Sequence, residues 1–426
     1  LRYICCFLQA IASGRGQFTN FKNLNFIEFG LDQRLVEGIE SSGYETATPI
    51  QEQVIPLILS GKDLIASAQT GTGKTAAFLL PIINRLMTTR TEEHINALIV
   101  VPTRELAIQI SEHIDGFTYF TPLSSIAVYG GSDGFSFSNE KQALSRGADI
   151  VVCTPGRMIA HLNMGYVKLD GLQFLILDEA DRMLDMGFYE DIMKIISFLP
   201  AQRQNLMFSA TMPPKIRILA KKILHDPAEI NIALSKPPDK IIQEVFIVYE
   251  SQKLPVVKWI LRKHNFQTVL IFGSKKQSVK DLTRELKRSN FSVREIHSDL
   301  EQQEREQVLL DFKNRKINIL VATDILSRGI DIDNIDLVIN FDVPHDGEDY
   351  VHRIGRTARA ENEGMAFTLV SEKEQGKLAS IEELLGKPVP KGKVPPELGA
   401  VPAYQPKRKN NNGKRRFSHP NHHSGR

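Results

Sequence analysis

From Phe26 onward the chain repeats one pattern, a strand-length apolar run followed by a longer stretch with helical spacing. The runs Asp63–Ser67, Ala97–Val101, Ile126–Tyr129, Ile150–Cys153, Phe174–Leu177 and Asn205–Phe208 are apolar throughout rather than alternating. Such runs predict parallel sheet, because parallel neighbours need crossover helices and these cover both faces. The pattern breaks at 235–240, Ser-Lys-Pro-Pro-Asp-Lys, a composition that ends regular structure. A second series follows: Val245–Tyr249, Thr268–Phe272, Ser292–Ile296, Ile317–Val321, Leu337–Asn340 and Met365–Val370. A chain of 426 residues suits two such α/β domains with tails, at roughly 150 residues per domain. The expected layout is a leader at 1–25, a doubly wound domain at 26–233, a linker at 234–242, a second domain at 243–386 and a little-structured tail at 387–426. Ligands of such sheets bind beyond the C-terminal strand ends, so the polar residues after each run carry the functional reading.

After the first run comes Ala68-Gln69-Thr70-Gly71-Thr72-Gly73-Lys74-Thr75, then a helix-compatible stretch. This spacing reads as a phosphate-binding loop. Its glycines let backbone N–H groups turn inward, and the helix N-terminus adds positive potential. Lys74 reaches the β/γ-phosphates and the Thr75 hydroxyl ligates magnesium. Ala68 stands where the first glycine is usual. The run Phe174–Leu177 ends in Asp178-Glu179-Ala180-Asp181. Adjacent carboxylates at a strand tip repel unless a cation is present, which makes Asp178 the magnesium-holding acid. Glu179, expected to face the other way in extended backbone, orients or deprotonates the attacking water.

Asp-Glu-Ala-Asp after such a strand, with Ser209-Ala210-Thr211 after the next, resembles the DEAD-box ATP-dependent RNA helicases, in order over 26 to about 372. The resemblance implies two tandem RecA-like domains closing on ATP, magnesium and a single RNA strand. Gly43 to Gln51 is similar to the family's Q motif, with Phe26 seventeen residues before its first glycine. By resemblance Gln51 reads the adenine edge, and Phe26 stacks on its face. Ala47 stands where the family usually has proline.

Phosphoryl transfer needs further cations on the γ-phosphate. His352-Arg353-Ile354-Gly355-Arg356-Thr357-Ala358-Arg359 resembles motif VI, which implies arginine fingers at Arg356 and Arg359. Ser327-Arg328-Gly329-Ile330-Asp331 resembles motif V, whose final acid, Asp331, contacts ribose. By the same resemblance Asp181, Ser209, Thr211 and His352 couple the nucleotide to RNA. Pro102, Thr103 and Arg104 follow one strand, Gly130-Gly131 another, and Thr154, Pro155 and Arg157 a third. Hydroxyls, arginines and small residues there suit a phosphate backbone and read few base edges. The resemblance assigns them, with Thr323 and Gly329, to RNA, and places Phe272, Gln302 and Arg305 on the RNA side or the interdomain face.

The net charge is +3, but 407–426 carries seven Lys and Arg and no acid, so the chain before it stands at −4. Such a block suits both a solvated end and an arm that tethers RNA. Cys5, Cys6 and Cys153 form neither a CxxC pair nor a disulfide framework, which fits a reducing cytoplasm and no structural zinc. The apolar stretch Leu1 to Ala12 is too short to span a bilayer and is read as a leader. The compact core and short basic tail resemble the RhlE-like bacterial branch. By analogy that implies a monomer working on ribosomal particles or other structured RNA, or beside RNA-degradation proteins. Two other functions stay open: an ATP-gated RNA clamp with little unwinding, marked by long-lived ATP-bound complexes, and a DNA translocase, marked by equal stimulation by DNA and RNA.

Overall fold

The structure is a computed structural model and describes residues 24–68, 72–130, 134–231, 241–264, 266–323, 335–345, 347–357 and 364–406. Gln69, Thr70, Gly71, Gly131, Gly329, Asp331 and Arg359, with the leader, most of the linker and the basic end, lie outside the described residues.

The first sheet holds β1 (Leu64–Ser67), β2 (Ala97–Val100), β3 (Ser125–Val128), β4 (Ile150–Cys153), β5 (Phe174–Leu177), β6 (Gln204–Ser209) and β7 (Ala228–Asn231). All pairings are parallel, in the order β3-β4-β2-β5-β6-β1-β7. Alternation within each strand feeds two cores: Ala97 and Ile99 join Phe78, Ile176 and Phe208 on one face, while Leu98 and Val100 join Val151, Leu175 and Met207 on the other. That double burial is why the strands read as apolar throughout. β7 was not expected. It is an edge strand, Ala-Glu-Ile-Asn, with Glu229 and Asn231 exposed, so it lacks the doubly apolar signature.

The second sheet holds β8 (Ile241–Ile247), β9 (Val269–Gly273), β10 (Val293–Ile296), β11 (Ile319–Thr323), β12 (Leu337–Asn340) and β13 (Gly364–Val370). Its order is β10-β11-β9-β12-β13-β8, again parallel throughout. β8 begins at Ile241, inside the stretch expected to be linker.

The expected tail corrects more substantially. Residues 387–406 lie on the second domain: Lys391 bridges to Val245, Val389 is buried, and the Gln252 amide donates to the Leu398 carbonyl at 2.8 Å. Tyr404 donates to Glu382 at 2.7 Å, and Gln375 donates to the Ala403 carbonyl at 2.8 Å. A few apolar and amide anchors hold a segment whose composition reads as tail. Among the described residues no helix is long and apolar enough to cross a membrane.

Candidate nucleotide and nucleic-acid sites

The strand order divides the C-terminal edge of the first sheet in two. β5, β6 and β1 are neighbours, so Asp178-Glu179, Ser209-Ala210-Thr211 and Lys74-Thr75 emerge side by side. β3, β4 and β2 form the other half and present Gly130, Thr154 to Arg157 and Pro102 to Arg104.

On the first half, Lys74 opens the helix Lys74–Thr89. Its ammonium is buried without a hydrogen-bond partner, and the side chain is 6% exposed. A buried ammonium without a hydrogen-bond acceptor is costly, and the position suits an anion. Gly73 before it has φ 91°, and a Cβ there would meet the Gln51 amide nitrogen at 2.5 Å, so glycine is required twice over. That amide nitrogen donates to the Gly73 carbonyl at 3.1 Å, while the Gln51 side-chain oxygen accepts from Thr48 N at 2.8 Å. Gln51 thus ties the Q segment to the phosphate loop, and an adenine edge would have to take over these bonds. Phe26 is 3% exposed, with its ring near Phe29 and edge-on to Tyr44; its place is in the core beneath the segment. Ala47 donates its N–H to Leu24 O at 2.8 Å, a bond that a proline there could not make. Ala68 is buried and donates to Ser209 O at 3.1 Å, so the missing first glycine still joins the loop to β6.

Asp178 is fully buried, and burial pushes its carboxyl up to about 6, with Lys74 opposing and Glu179 and Asp181 reinforcing. An acid held in that state favours a cation beside it. Thr75 and Asp178 suit magnesium, which takes one or two protein oxygens and completes its shell with phosphates and water. Glu179 corrects an expectation. Its backbone is left-handed, φ 50° and ψ 48°, not extended, because only Asp178 and Glu179 lie between the end of β5 at Leu177 and the start of the helix Ala180–Asp185. A non-glycine residue there stores roughly 1–3 kcal/mol of strain, a feature of functional turns. Its carboxylate is fixed by Arg182 at 3.1 Å. Asp181 accepts from Ala210 N, Thr211 N and the Thr211 hydroxyl at 3.1, 2.9 and 3.1 Å, and the Ser209 hydroxyl donates to Thr211 O at 2.7 Å. One acid therefore clamps the turn after β6.

On the other half, three guanidiniums converge. Thr103 caps the helix Arg104–Thr118 by accepting from Leu106 N at 3.3 Å, which fixes Arg104 in its first turn. Burial, then the nearby Arg305 and Arg157, lower the Arg104 pKa. Arg104 lies against Gly130, where a Cβ would sit 3.7 Å from its terminal nitrogen. Arg305, from the second domain, reaches Glu105 at 3.4 Å. Pro155 starts the helix Pro155–Asn163 with Thr154 at its cap, and Arg157 follows in the first turn. Like charges packed this closely in partly buried ground make a ready seat for phosphates.

In the second domain, Arg356 is buried at the end of the helix Gly347–Ile354. The next residue, Thr357, bridges to Ile335 and donates its hydroxyl to the Ile335 carbonyl, fixing that turn. His352 and Thr323 are also buried, at the helix end and at the tip of β11. Two buried residues were not foreseen. Arg353 donates to the Asn340 side chain and Asp342 O at 3.1 and 2.8 Å and stacks over Phe272 at 5.1 Å. Lys253, 1% exposed, joins Asp342 at 3.2 Å and Glu374 at 2.8 Å. Arg353 lies inside the motif VI string without a role of its own there and Lys253 lies in no motif, so only the three-dimensional pairing reveals what they hold.

Residues 48–219 match the family model "DEAD/DEAH box helicase", and 252–361 match "Helicase conserved C-terminal domain". The ATP-dependent RNA helicase CshA of Listeria monocytogenes is 46% identical over 359 residues, 84% of this chain and 68% of the relative. The DEAD-box ATP-dependent RNA helicase CshA of Geobacillus kaustophilus is 41% identical over 371 residues, 87% and 78%. Among solved structures, Mss116p bound to single-stranded RNA and AMP-PNP gives a TM-score of 0.79 at 29% identity, covering 90% of this chain and 82% of that one. Dbp5 of S. cerevisiae bound to RNA and ADP BeF3 gives 0.77 at 31%, covering 87% and 95%.

Proposed function

Because this chain belongs to the DEAD/DEAH-box helicase family, we propose that it is an ATP-dependent RNA helicase that grips the RNA backbone, separates duplexes locally and uses ATP hydrolysis to let go. The observation that carries this reading is the buried Lys74 ammonium without a hydrogen-bond partner, with buried Asp178, on one half of the edge of a sheet whose other half gathers arginines.

Lys74 holds the terminal phosphates of ATP, whose oxygens accept from its buried ammonium. Thr75 and Asp178 would hold magnesium, which would supply Lewis-acid neutralisation of phosphate oxygens. Glu179 takes a proton from water as the water oxygen bonds to the γ-phosphorus; the bond from that phosphorus to the bridging oxygen breaks, leaving ADP and inorganic phosphate. Arg182 fixes the carboxylate's direction. Arg356 and Arg359, from the second domain, offset charge on the transferring group, so hydrolysis needs both domains. Asp331 contacts ribose, and Gln51 reads the adenine edge. Asp181, Ser209, Thr211 and His352 carry the state of the phosphate site toward the RNA half. There Thr103, Arg104, Thr154, Arg157, Thr323 and Gly329 hold sugar and phosphate, giving weak sequence preference. An RhlE-like placement rests on the compact core and the short basic tail, whereas the relatives above carry the CshA name.

Glu179→Gln should lower RNA-stimulated turnover by roughly 10²–10⁴-fold, the usual reach of a general base, while ATP and RNA affinities hold. Steady-state ATPase with single-stranded RNA, duplex RNA and DNA, alongside strand-release assays, checks this. Turnover surviving in that variant would remove Glu179 from the chemistry, and equal stimulation by DNA would remove RNA as the substrate.

A further inference from the structure

Outside the phosphate site, the described residues hold a buried chain of polar groups that the mechanism above leaves unused and that ends on an RNA-side arginine. Glu140, on the helix Gly134–Arg146, is 5% exposed. Its Oε2 accepts from Arg157 Nε at 2.7 Å and meets His161 Nε2 at 2.7 Å. His161 is fully buried, and its Nδ1 pairs with the Tyr166 hydroxyl. With Nε2 donating to a carboxylate, Nδ1 is the acceptor for the Tyr166 proton, so the imidazole is oriented from both ends. The Phe137 ring stacks on His161 at 4.4 Å and 13°, and the Arg157 guanidinium lies over the same ring at 4.6 Å.

The sequence spacing produces this arrangement. Phe137 and Glu140 share one helix face at i, i+3, and Arg157 and His161 share another at i, i+4. A charge-assisted bond to Nε, at the base of the guanidinium fork, together with a ring against its face, removes the rotations that otherwise blur an arginine. Arg157 also adds to the positive field at Arg104, and a guanidinium crowded by like charge swings away unless something holds it.

We propose that Glu140, backed by Phe137 and His161, is a positioning residue that sets the plane of the Arg157 guanidinium for an RNA phosphate. The inference rests on the reading of Arg157 as a backbone contact. It separates from simple packing, because a group that only pins two helices together changes stability and not RNA affinity through one arginine.

The test uses the full chain, with steady-state ATPase titrated against single-stranded oligouridylate and binding of a fluorescent ATP analogue as a control for folding. Glu140→Ala should raise the RNA KM about 10–100-fold, the order expected on losing a charge-assisted bond, with kcat at saturating RNA within about twofold. Arg157→Ala should raise the RNA KM by a similar factor. The double variant should be no worse than Arg157→Ala, since both changes act through one guanidinium. Glu140→Gln keeps one acceptor oxygen and should recover part of the affinity; it carries the test if Glu140→Ala loses nucleotide binding. An RNA KM unchanged in the Glu140 variants but raised by Arg157→Ala would overturn the proposal, as would additive losses in the double variant. If Arg157→Ala alone left the RNA KM unchanged, the backbone-contact reading would fail and the proposal with it, a comparison in which Glu140 takes no part.

Discussion

A carboxylate as deeply buried as Asp178 gives a pH signature of its own. Burial raises it from 3.8 to about 6, so between these values the folded protein holds a proton that the unfolded chain releases. The associated stability is therefore complete below pH 3.8 and lost as pH rises through about 6. Thermal melts of the wild type and Asp178→Asn should diverge over that window, with the wild type losing ground as pH rises; parallel curves would reject the shift. Magnesium must displace the same proton, so its apparent affinity, read from magnesium-dependent nucleotide binding, should fall by up to about tenfold per pH unit below 6. Residue types at this site were legible because the chemistry restricts them: a lysine after a glycine turn, paired acids at a strand tip. Backbone conformation was not. The left-handed Glu179 follows from where β5 stops and the next helix starts, a geometric demand that the string Asp-Glu-Ala-Asp does not display. Likewise Ala47, a departure from the family pattern by sequence, makes structural sense only beside the Leu24 carbonyl.

Elements were legible to the degree that they are buried on both faces. β4, β5 and β12 fall at the expected residues, whereas β7 and the start of β8 were missed. β7 is a half-exposed edge, and the opening residues of β8 include exposed Ile242. The segment 387–406 escaped for a related reason: its few anchors are spread over twenty residues and their partners, Val245, Gln252, Gln375 and Glu382, are distant in sequence. Two truncations separate this strap from the basic end. Stopping after Gly386 removes Val389, the Lys391 bridge and the Tyr404 bond, and should lower the melting temperature by several degrees, at roughly 2–4 °C per kcal/mol for a domain of this size. Stopping after Gln405 keeps all of these and should leave the melt unchanged. Equal melting temperatures for the two products would mean that the strap contributes nothing to the second domain.

For the whole molecule the important division is between sites rather than between domains. One half of the first sheet's edge carries the residues proposed for the nucleotide and the other half those proposed for RNA, and Arg305 comes to the second half from the second domain. The Arg305–Glu105 contact at 3.4 Å already joins the domains on the RNA side. An acidic body, at −4 before residue 407, does not attract RNA at a distance, so local arginine clusters must hold it at short range. The seven cations of 407–426 then have a long-range part to play that the core lacks. For single strands each neutralised phosphate contributes about 0.7 to the slope of log affinity against log salt, so engaging the whole end steepens it by at most about five. Truncation after Gln405 should therefore weaken RNA binding most at low salt and flatten the slope, with ATPase in the absence of RNA unchanged. Filter binding or anisotropy at several salt concentrations reads this directly. Parallel salt plots for the full and shortened chains would leave the basic end as a solvated terminus and return RNA capture entirely to the arginines around Gly130.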